Sequence, residues 1–449
     1  MSALQFIRNW WRKYSLSDVF TPSSVAKANY ISRVDLETEF KKNLSIPGKQ
    51  IIIFGLSGSG KTTLTRHMLA REKQNFIQTQ CDSKISFEQL LLNAFDQLDR
   101  FYVDQKKSNS SYKISTDLKL RYGSVKQELT TTTELQEKRL VNPQLTISKL
   151  AEFLGAIQAV WLIEDFHVVR DDVKSSLADA LKIFMDSSAD YSRVRIICIG
   201  AVGSASEMIK LAPDLKHRIT EFKIPLLSDV EIDKIIVQGC NLLNIEIESS
   251  LIEGIRYYSN HLGALVHQMC FDICHSVGIT EFNVRTRYLK RENLGDGISA
   301  YMKNNEDTFK VIYDSCVSKK ECWYILKTLD VVGHELFLDE LVTRINRKEH
   351  HFSVEEIKSA LEDLSTPGKG VIRFDANSQK YSISTPFWEA FIKIQMQLEQ
   401  ENNTSKKKRV ISIYNQSSPE ADIYNELLKY MLELRKQQMA SFSRMLDDM

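Results

Sequence analysis

A glycine-rich loop between a short apolar run and a helical stretch is the feature that most constrains this sequence. Residues 51–63 read Ile-Ile-Ile-Phe-Gly-Leu-Ser-Gly-Ser-Gly-Lys-Thr-Thr, and Gly55 to Thr62 fit the phosphate-binding pattern G-x-x-x-x-G-K-[ST]. Ile51–Phe54 predicts a buried strand, and a helix is expected to begin near Thr63. The strand, loop and helix that the pattern requires are therefore present in the right order.

The residue types in this loop predict a site for ATP and Mg²⁺. Glycines let the backbone curl so that successive N–H groups point at phosphate oxygens, and the helix N-terminus adds a favourable dipole. Lys61 is expected to reach the β- and γ-phosphates, and the Thr62 hydroxyl to bind Mg²⁺. The residues expected to bind the nucleotide are Gly55, Leu56, Ser57, Gly58, Ser59, Gly60, Lys61, Thr62 and Thr63.

Two adjacent carboxylates follow another apolar run. Ala159–Ile163 predicts a buried strand, and Glu164 and Asp165 come directly after it. Adjacent acids at a buried strand end repel one another, and a cation relieves that repulsion. We therefore expect both acids to belong to the Mg²⁺ site, at the end of a strand next to the Ile51–Phe54 strand of the phosphate-binding loop (P-loop). One carboxylate should orient Mg²⁺ through its water shell, and the other should polarise the attacking water. The order Glu-Asp leaves open which acid has which role.

Other polar residues near the ends of later strands remain open to two interpretations. Arg218 precedes a short strand and is either a catalytic arginine that reaches a phosphate, in cis or across a subunit interface, or a surface arginine. Ser204 and Ser206 follow the strand that ends at Gly200, where they either sense the γ-phosphate or form a turn. The expected catalytic set is Lys61, Glu164, Asp165 and Arg218.

The pattern of apolar residues divides the 449-residue chain into segments. Short apolar strands alternating with helices predict an α/β fold, a parallel sheet wound by helices, over residues 49–226, with a polar insertion at 104–145. A lead-in at 1–48 precedes it and includes an amphipathic helix starting at Tyr30. From Leu227 the pattern is all-helical, which predicts a helical segment over 227–297. Helices followed by two short strands predict a winged-helix-like domain at 298–400, before a basic linker and amphipathic helix at 401–449.

Bulk composition limits the possible surroundings and partners. The net charge of +1 argues against a whole-protein surface for polyanions, although local basic patches remain possible. The seven cysteines contain no C-x-x-C pair, so a zinc ribbon is not indicated. The sequence contains no run of about 18 apolar residues, so no membrane span is predicted. With many cysteines and no export signal, we expect a cytoplasmic protein.

Taken together, these segments resemble the AAA+/STAND group of P-loop ATPases. The similarity is to the initiator-like, origin-recognition branch and to prokaryotic ATPases associated with mobile elements and anti-phage defence. The segments that carry it are Val19–Pro22, Ser32–Glu37, Gly55–Thr62, Leu162–His167, Leu215–Ile219 and Pro225–Ile232.

The resemblance implies that residues 227–297 form a helical lid and that ATP lies between this lid and the α/β domain, with residues 30–33 near the adenine. It also implies an arginine in the lid helix after a glycine, but Gly263–His267 has none. Either His267 substitutes for that arginine, or the site hydrolyses ATP slowly and acts as a switch.

Two functions then fit the sequence. The first is an ATP-driven switch that forms a homo-oligomer or controls a separate effector protein, with anti-phage defence as one setting. The second is a DNA-binding initiator or transposition-type ATPase, which the winged-helix-like domain and the basic runs Arg285–Arg291 and Lys406–Arg409 support. A small-molecule kinase is disfavoured because the lid and the third domain would have no use there.

Overall fold

The computed structural model describes residues 13–104, 145–201, 219–333, 335–347, 351–366, 368–375 and 378–399. The strands are β1 Gln50–Phe54, β2 Asn75–Gln80, β3 Ala159–Glu164, β4 Arg195–Gly200, β5 Ile219–Lys223, β6 Ile245–Ile247, β7 Arg287–Leu289, β8 Ile372–Asp375 and β9 Lys380–Ile383. The helices of the first half are α1 Leu16–Val19, α2 Val34–Ser45, α3 Lys61–Arg71, α4 Phe87–Asp104, α5 Ile147–Ala156 and α6 Asp171–Ser187. Those of the second half are α7 Asp229–Leu243, α8 Ser249–Ser259, α9 Gly263–Ser276, α10 Leu294–Asn304, α11 Val311–Val317, α12 Lys320–Val332, α13 Leu338–Asn346, α14 Val354–Ser365 and α15 over residues 386–399.

A five-stranded parallel sheet forms the centre of the first half, in the order β2-β3-β4-β1-β5. Its inner strands are runs of apolar, mostly β-branched residues, as expected of strands covered on both faces. The predicted α/β fold, a parallel sheet wound by helices, is confirmed. One detail was wrong, because β4 lies between β1 and β3, so the acid-bearing strand does not neighbour the P-loop strand. All five strands of this sheet run parallel, so the carboxyl ends of β1 and β3 still lie at the same edge.

Helices cover both faces of this sheet. On one face, apolar side chains from α4, α5 and α6 pack around Trp161 and Phe184. The indole N–H of Trp161 donates to Thr79 Oγ1 at 2.5 Å, which satisfies its polar atom inside the core. On the other face, α2 and α3 pack over β1, with Phe40 against Phe222. This packing places the first turn of α3, which begins at Lys61, at the carboxyl edge of the sheet.

The segment after β5 consists mainly of helices α7, α8 and α9. Ser228 caps α7 by accepting from the Glu231 N–H, while the Glu231 carboxylate accepts from the Ser228 N–H. The prediction of an all-helical segment from Leu227 was wrong in one place, since β6 pairs in parallel with β7. The expected helix at Tyr30 also begins later, at Val34, which leaves residues 30–33 outside any helix.

The chain divides into two compact units. The first comprises Met1–Ser315, Leu364–Arg373 and Ile383–Ala390, and the second Cys316–Asp363, Phe374–Ser382 and Phe391–Met449. Within the second unit, α12 packs on α13, and Leu336 pairs with Tyr381 in an isolated bridge. Strands β8 and β9 form a two-stranded sheet after the helices. The winged-helix-like assignment of residues 298–400 stays a prediction.

Several predicted features lie outside the described residues. They are Arg218, Ser204 and Ser206, nearly all of the 104–145 insertion, and residues 401–449. All seven cysteines lie within the described part, where each is a buried thiol. No helix of the described residues is long and apolar enough to cross a lipid bilayer.

Candidate functional site

The P-loop follows β1 in the conformation that its glycines permit. A Cβ on Gly55 would lie 2.5 Å from the carbonyl oxygen of Ile224, so only glycine fits beside that strand end. Gly60, with a φ of 90°, leads directly into α3. The Lys61 ammonium donates to the carbonyl oxygens of Gly55 and Leu56, at 3.0 Å each. These two hydrogen bonds hold the Lys61 side chain against the P-loop backbone.

The two acids have different surroundings. Glu164 is the last residue of β3 and shares a hydrogen bond with the Thr62 side chain. Burial raises the pKa of Glu164 above its usual range, and the charge of Asp165 adds to this, whereas Arg66 and the Thr62 bond oppose it. Asp165 has a left-handed backbone, with φ of 54°, and its Oδ2 accepts from Gln80 Nε2 at 2.5 Å.

The charge of Asp165 also acts on Lys61. Burial lowers the pKa of its ammonium, and the nearby charge of Asp165 opposes this shift. Lys61 and Asp165 therefore interact electrostatically, although they are 104 positions apart in the chain.

These residues line one cavity of about 540 Å³. It has three walls: the P-loop from Ser57 to Leu64, the lead-in from Thr21 to Arg33, and the lid. Glu164 and Asp165, at the carboxyl end of β3, also line the cavity. Gly55 and Leu56 do not line the cavity; their carbonyls instead receive Lys61. The Ala264 N–H of α9 donates to Gly58 O at 3.3 Å, so lid and P-loop are joined directly.

Unsatisfied polar atoms concentrate in this cavity. Within the described residues, seven buried side-chain nitrogen or oxygen atoms have no hydrogen-bond partner, and five of them belong to cavity-lining residues. These five are Thr21 Oγ1, Asn29 Oδ1, Ser59 Oγ, Arg66 Nε and Glu164 Oε1. Because burying such atoms without partners is costly, their concentration indicates a site completed by a polar ligand.

The same atoms bear on the expected Mg²⁺. Mg²⁺ prefers hard oxygen ligands and binds through one or two protein groups together with water and substrate phosphates. The Thr62 hydroxyl and the unpaired Oε1 of Glu164 provide ligands of that kind. No group of three or more His, Cys, Asp or Glu side chains able to hold a metal occurs in the described chain. The residues therefore fit a metal shared with a phosphate, not a protein cage.

The lead-in wall is tied to both other walls. The ring of Tyr30 stacks on His67 of α3, with centroids 3.7 Å apart, and its hydroxyl donates to Glu37 at 2.8 Å. On the lid side, Arg33 Nε donates to Glu231 at 2.8 Å. Arg33 also donates to the carbonyls of Pro225 and Leu226, at 3.2 Å each. Residues 30–33 thus lie between the P-loop helix and the lid.

His267 occupies the lid position where an arginine was expected. It is 7% exposed, and its Nδ1 accepts from the Thr21 N–H at 3.1 Å. Burial lowers the pKa of its imidazole to about 4, so the ring is neutral at neutral pH. His267 therefore holds the lead-in but does not supply the positive charge of the absent arginine. The other described lid residues that line the cavity are also uncharged: Leu227, Ile235, Gly263 and Ala264.

Comparison with known families identifies the P-loop segment. Residues 48–209 match the family model described as an AAA domain. This segment is an AAA domain. The match begins just before β1 and extends past β4, so it includes the P-loop and both acids.

Solved structures resemble the chain beyond the AAA domain. The Walker-type ATPase of Pyrococcus abyssi is 11% identical, with a TM-score of 0.52 over 82% of this chain and 98% of that one. The ORC2 protein of Aeropyrum pernix is 11% identical over 86% and 100%, with a TM-score of 0.44. RuvB of Thermotoga maritima, a Holliday junction branch migration motor, is 13% identical over 81% and 95%, with a TM-score of 0.39. The first likeness shows a shared fold. A search of curated proteins finds no match.

Sequence reasoning missed several residues at the AAA site. Gln80 ends β2, and a polar residue at the end of a parallel strand is a signal that could have found it. Arg66 lies one helical turn after Thr62 and donates to Gln78. Asn29 has no sequence signal, because only the fold brings the lead-in against the lid.

Proposed function

We propose that this protein binds ATP in the cavity of its AAA domain and hydrolyses it slowly, as a conformational switch. The observation that carries the proposal is the shared cavity. P-loop, acid pair, lead-in and lid all line it, and five of its side chains have a buried polar atom without a partner. ATP would supply phosphate and ribose oxygens and a base to these groups.

The two acids divide the work according to their contacts. Glu164 lies against Thr62, so these two would hold Mg²⁺, which when bound neutralises charge on the phosphate oxygens. Asp165 is turned out of the strand and bonded to Gln80, so it would accept a proton from the attacking water while Gln80 orients the carboxylate. Lys61 would leave the loop carbonyls for the β- and γ-phosphates. Whether Arg218 adds a further charge stays a prediction.

Two features support a slow switch. The lid residues at the cavity include no charge at neutral pH, so the lid adds no cation to stabilise the charge that develops on the transferred phosphate. The Ala264–Gly58 and Arg33–Glu231 bonds join the lid to the P-loop and the lead-in. Binding of ATP would therefore shift the position of the lid. A second copy of the chain or a separate effector protein would bind according to that position. Anti-phage defence is one setting for such a switch.

The test separates the acids by substitution. Asp165→Asn should reduce ATP turnover by about 10²–10⁴-fold, the usual loss of a general base, while ATP affinity persists. Glu164→Gln should instead raise the Mg²⁺ concentration needed for half-maximal turnover. Turnover and equilibrium ATP binding would be measured across a Mg²⁺ titration.

Two further variants calibrate this test. Lys61→Ala should abolish ATP binding, whereas Asp179→Asn, at an exposed position of α6, should behave as wild type. Wild-type turnover in both acid variants would refute the acid-pair assignment. Retained ATP affinity in Lys61→Ala would refute the site itself.

The second candidate is a DNA-binding ATPase. Arg285, Arg287, Lys290 and Arg291 are all exposed. Two of them also serve the fold: Arg287 donates to Val277 O at 2.8 Å, and Arg291 to Ser250 O at 2.7 Å. A hydrogen bond to a carbonyl leaves the positive charge available to phosphates. Turnover stimulated by duplex DNA, with a stimulation that falls as salt rises, would favour this candidate.

A further inference from the structure

Asn29 places a fixed amide in the lead-in wall of the cavity. This residue is 1% exposed and lines the cavity. Its Nδ2 donates to the carbonyl oxygen of Ile235 in α7 at 3.0 Å. A carbonyl only accepts, so this bond decides which end of the amide carries the nitrogen. Gly239 of α7 packs against the same end of the amide, since a Cβ there would lie 2.7 Å from Asn29 Nδ2.

The other end of this amide has no partner. Asn29 Oδ1 is buried and accepts no hydrogen bond from the described residues. An orphaned acceptor of this kind indicates a donor that arrives with a ligand. Val25, Tyr30 and Ile31 of the same wall and Ile235 of the lid also line the cavity around Asn29, so an aromatic ring with a polar edge suits this part of the site. The phosphates belong at the P-loop, which leaves the nucleobase for this wall.

We propose that Asn29 Oδ1 accepts a hydrogen bond from the exocyclic amino group of adenine, and that Asn29 determines the base specificity of the site. This inference rests on the proposed ATP binding. A 6-oxo purine in the same position would direct an acceptor at Oδ1. A flip of the amide would present a donor to that acceptor, but it would break the Nδ2 bond to Ile235 O and place Oδ1 against this carbonyl oxygen. A purine without a 6-substituent would leave Oδ1 unsatisfied.

Nucleotide analogues test this directly in the full chain. Equilibrium binding would be measured for ATP, purine riboside triphosphate, inosine triphosphate and 2′-deoxyATP, with Mg²⁺ present. Purine riboside triphosphate lacks only the 6-amino group, and wild type should bind it about tenfold more weakly than ATP, because Oδ1 stays buried and unpaired. 2′-deoxyATP keeps the adenine base, so the loss of its 2′-hydroxyl should leave the contact with Oδ1 unchanged.

Variants then assign the preference to Asn29. In Asn29→Leu the ATP and purine riboside triphosphate affinities should converge; Asn29→Ala serves the same purpose if the leucine variant does not fold. Asn43→Leu is the matched control. Asn43 is also a buried amide whose Nδ2 donates to a carbonyl, that of Glu39 at 3.1 Å, but it lies outside the cavity. This control should keep the wild-type preference for ATP.

The opposing outcomes are distinct. Equal wild-type binding of ATP and purine riboside triphosphate would overturn the assignment. An Asn29 variant that weakens both nucleotides alike, with their ratio unchanged, would show a structural role only. Weakened binding of 2′-deoxyATP that disappears in the variant would assign Oδ1 to the ribose. Absence of any nucleotide binding by wild type would instead refute the proposed function, on which this inference rests.

Discussion

Gly55 and Gly60 both belong to the P-loop motif, but the structure gives them different reasons to be glycine. A Cβ on Gly55 would lie 2.5 Å from the carbonyl oxygen of Ile224. This oxygen belongs to the backbone, so it cannot move away as the end of a flexible side chain could. A Cβ on Gly60 would meet nothing within 4 Å, so only its φ of 90° disfavours other residues. The motif alone treats these positions as equivalent.

The two glycines should therefore differ in their effect on stability. Gly55→Ala should lower the free energy of unfolding by about 3 kcal/mol or more, because backbone strain and overpacking add. Gly60→Ala should cost about 1–2 kcal/mol, from the left-handed backbone alone. Urea denaturation of both variants measures the difference. Equal losses would show that the close approach of Gly55 to Ile224 O has no energetic weight.

At the scale of elements, Glu37 holds the lead-in to the P-loop helix. Its side chain is 2% exposed, and its carboxylate accepts from Tyr30, from Ser32 and from Arg71 of α3. Burial by itself would raise the pKa of Glu37, but these hydrogen bonds outweigh it and hold the pKa below its usual range. Because the folded state stabilises the ionised form of Glu37, the free energy of unfolding depends on the ionisation of this carboxylate.

This arrangement predicts an acid-sensitive lead-in. Since the folded pKa of Glu37 is depressed, its contribution is full above the unfolded value of about 4.3 and is lost as pH falls through the folded pKa. Glu37→Gln should cost about 1–3 kcal/mol at pH 7, and the gap to wild type should narrow below about pH 4. Urea denaturation over a pH series measures this. Glu39→Gln, exposed on the same helix, is the control; a gap for Glu37→Gln that is independent of pH would contradict the prediction.

At the scale of the whole molecule, the AAA domain and the following helices contribute to one cavity. Lid residues contact the P-loop through the Ala264–Gly58 bond and the lead-in through Arg33–Glu231. A ligand that differs in its γ-phosphate would change contacts at the P-loop wall, which the lid shares. Nucleotide state would in this way reach elements that a partner can touch.

The proposed switch predicts a change in assembly with nucleotide. The native mass with ATP should correspond to a higher oligomer or a complex with a separate effector protein, and the mass with ADP to a smaller species. Asp165→Asn should prolong the ATP form because turnover is blocked, and Lys61→Ala should not change mass with either nucleotide. Native mass spectrometry of wild type and of both variants, each with ATP and with ADP, measures these masses. The same mass with ATP and ADP, with and without duplex DNA, would contradict the switch.

The sequence by itself determined the parts of this protein that depend on local chemistry. The P-loop from Gly55 to Thr62 and the apolar runs of the sheet are encoded in consecutive residues, so pattern and spacing suffice to predict strand, loop and helix. The parallel sheet followed from strands alternating with helices. The expectation that Glu164 and Asp165 belong together with Lys61 assumed neighbouring strands; β4 lies between them, and the residues still meet because all five strands run parallel and end at one edge.

Only the tertiary structure decided how distant segments meet. The insertion of β4 between β1 and β3, the pairing of β6 with β7, and the neutral His267 all depend on contacts that no local pattern encodes. The same holds for Asn29, whose amide is oriented by a helix more than 200 residues away. Local sequence sets which groups are available, whereas burial and hydrogen-bond partners from remote segments set their charge and orientation.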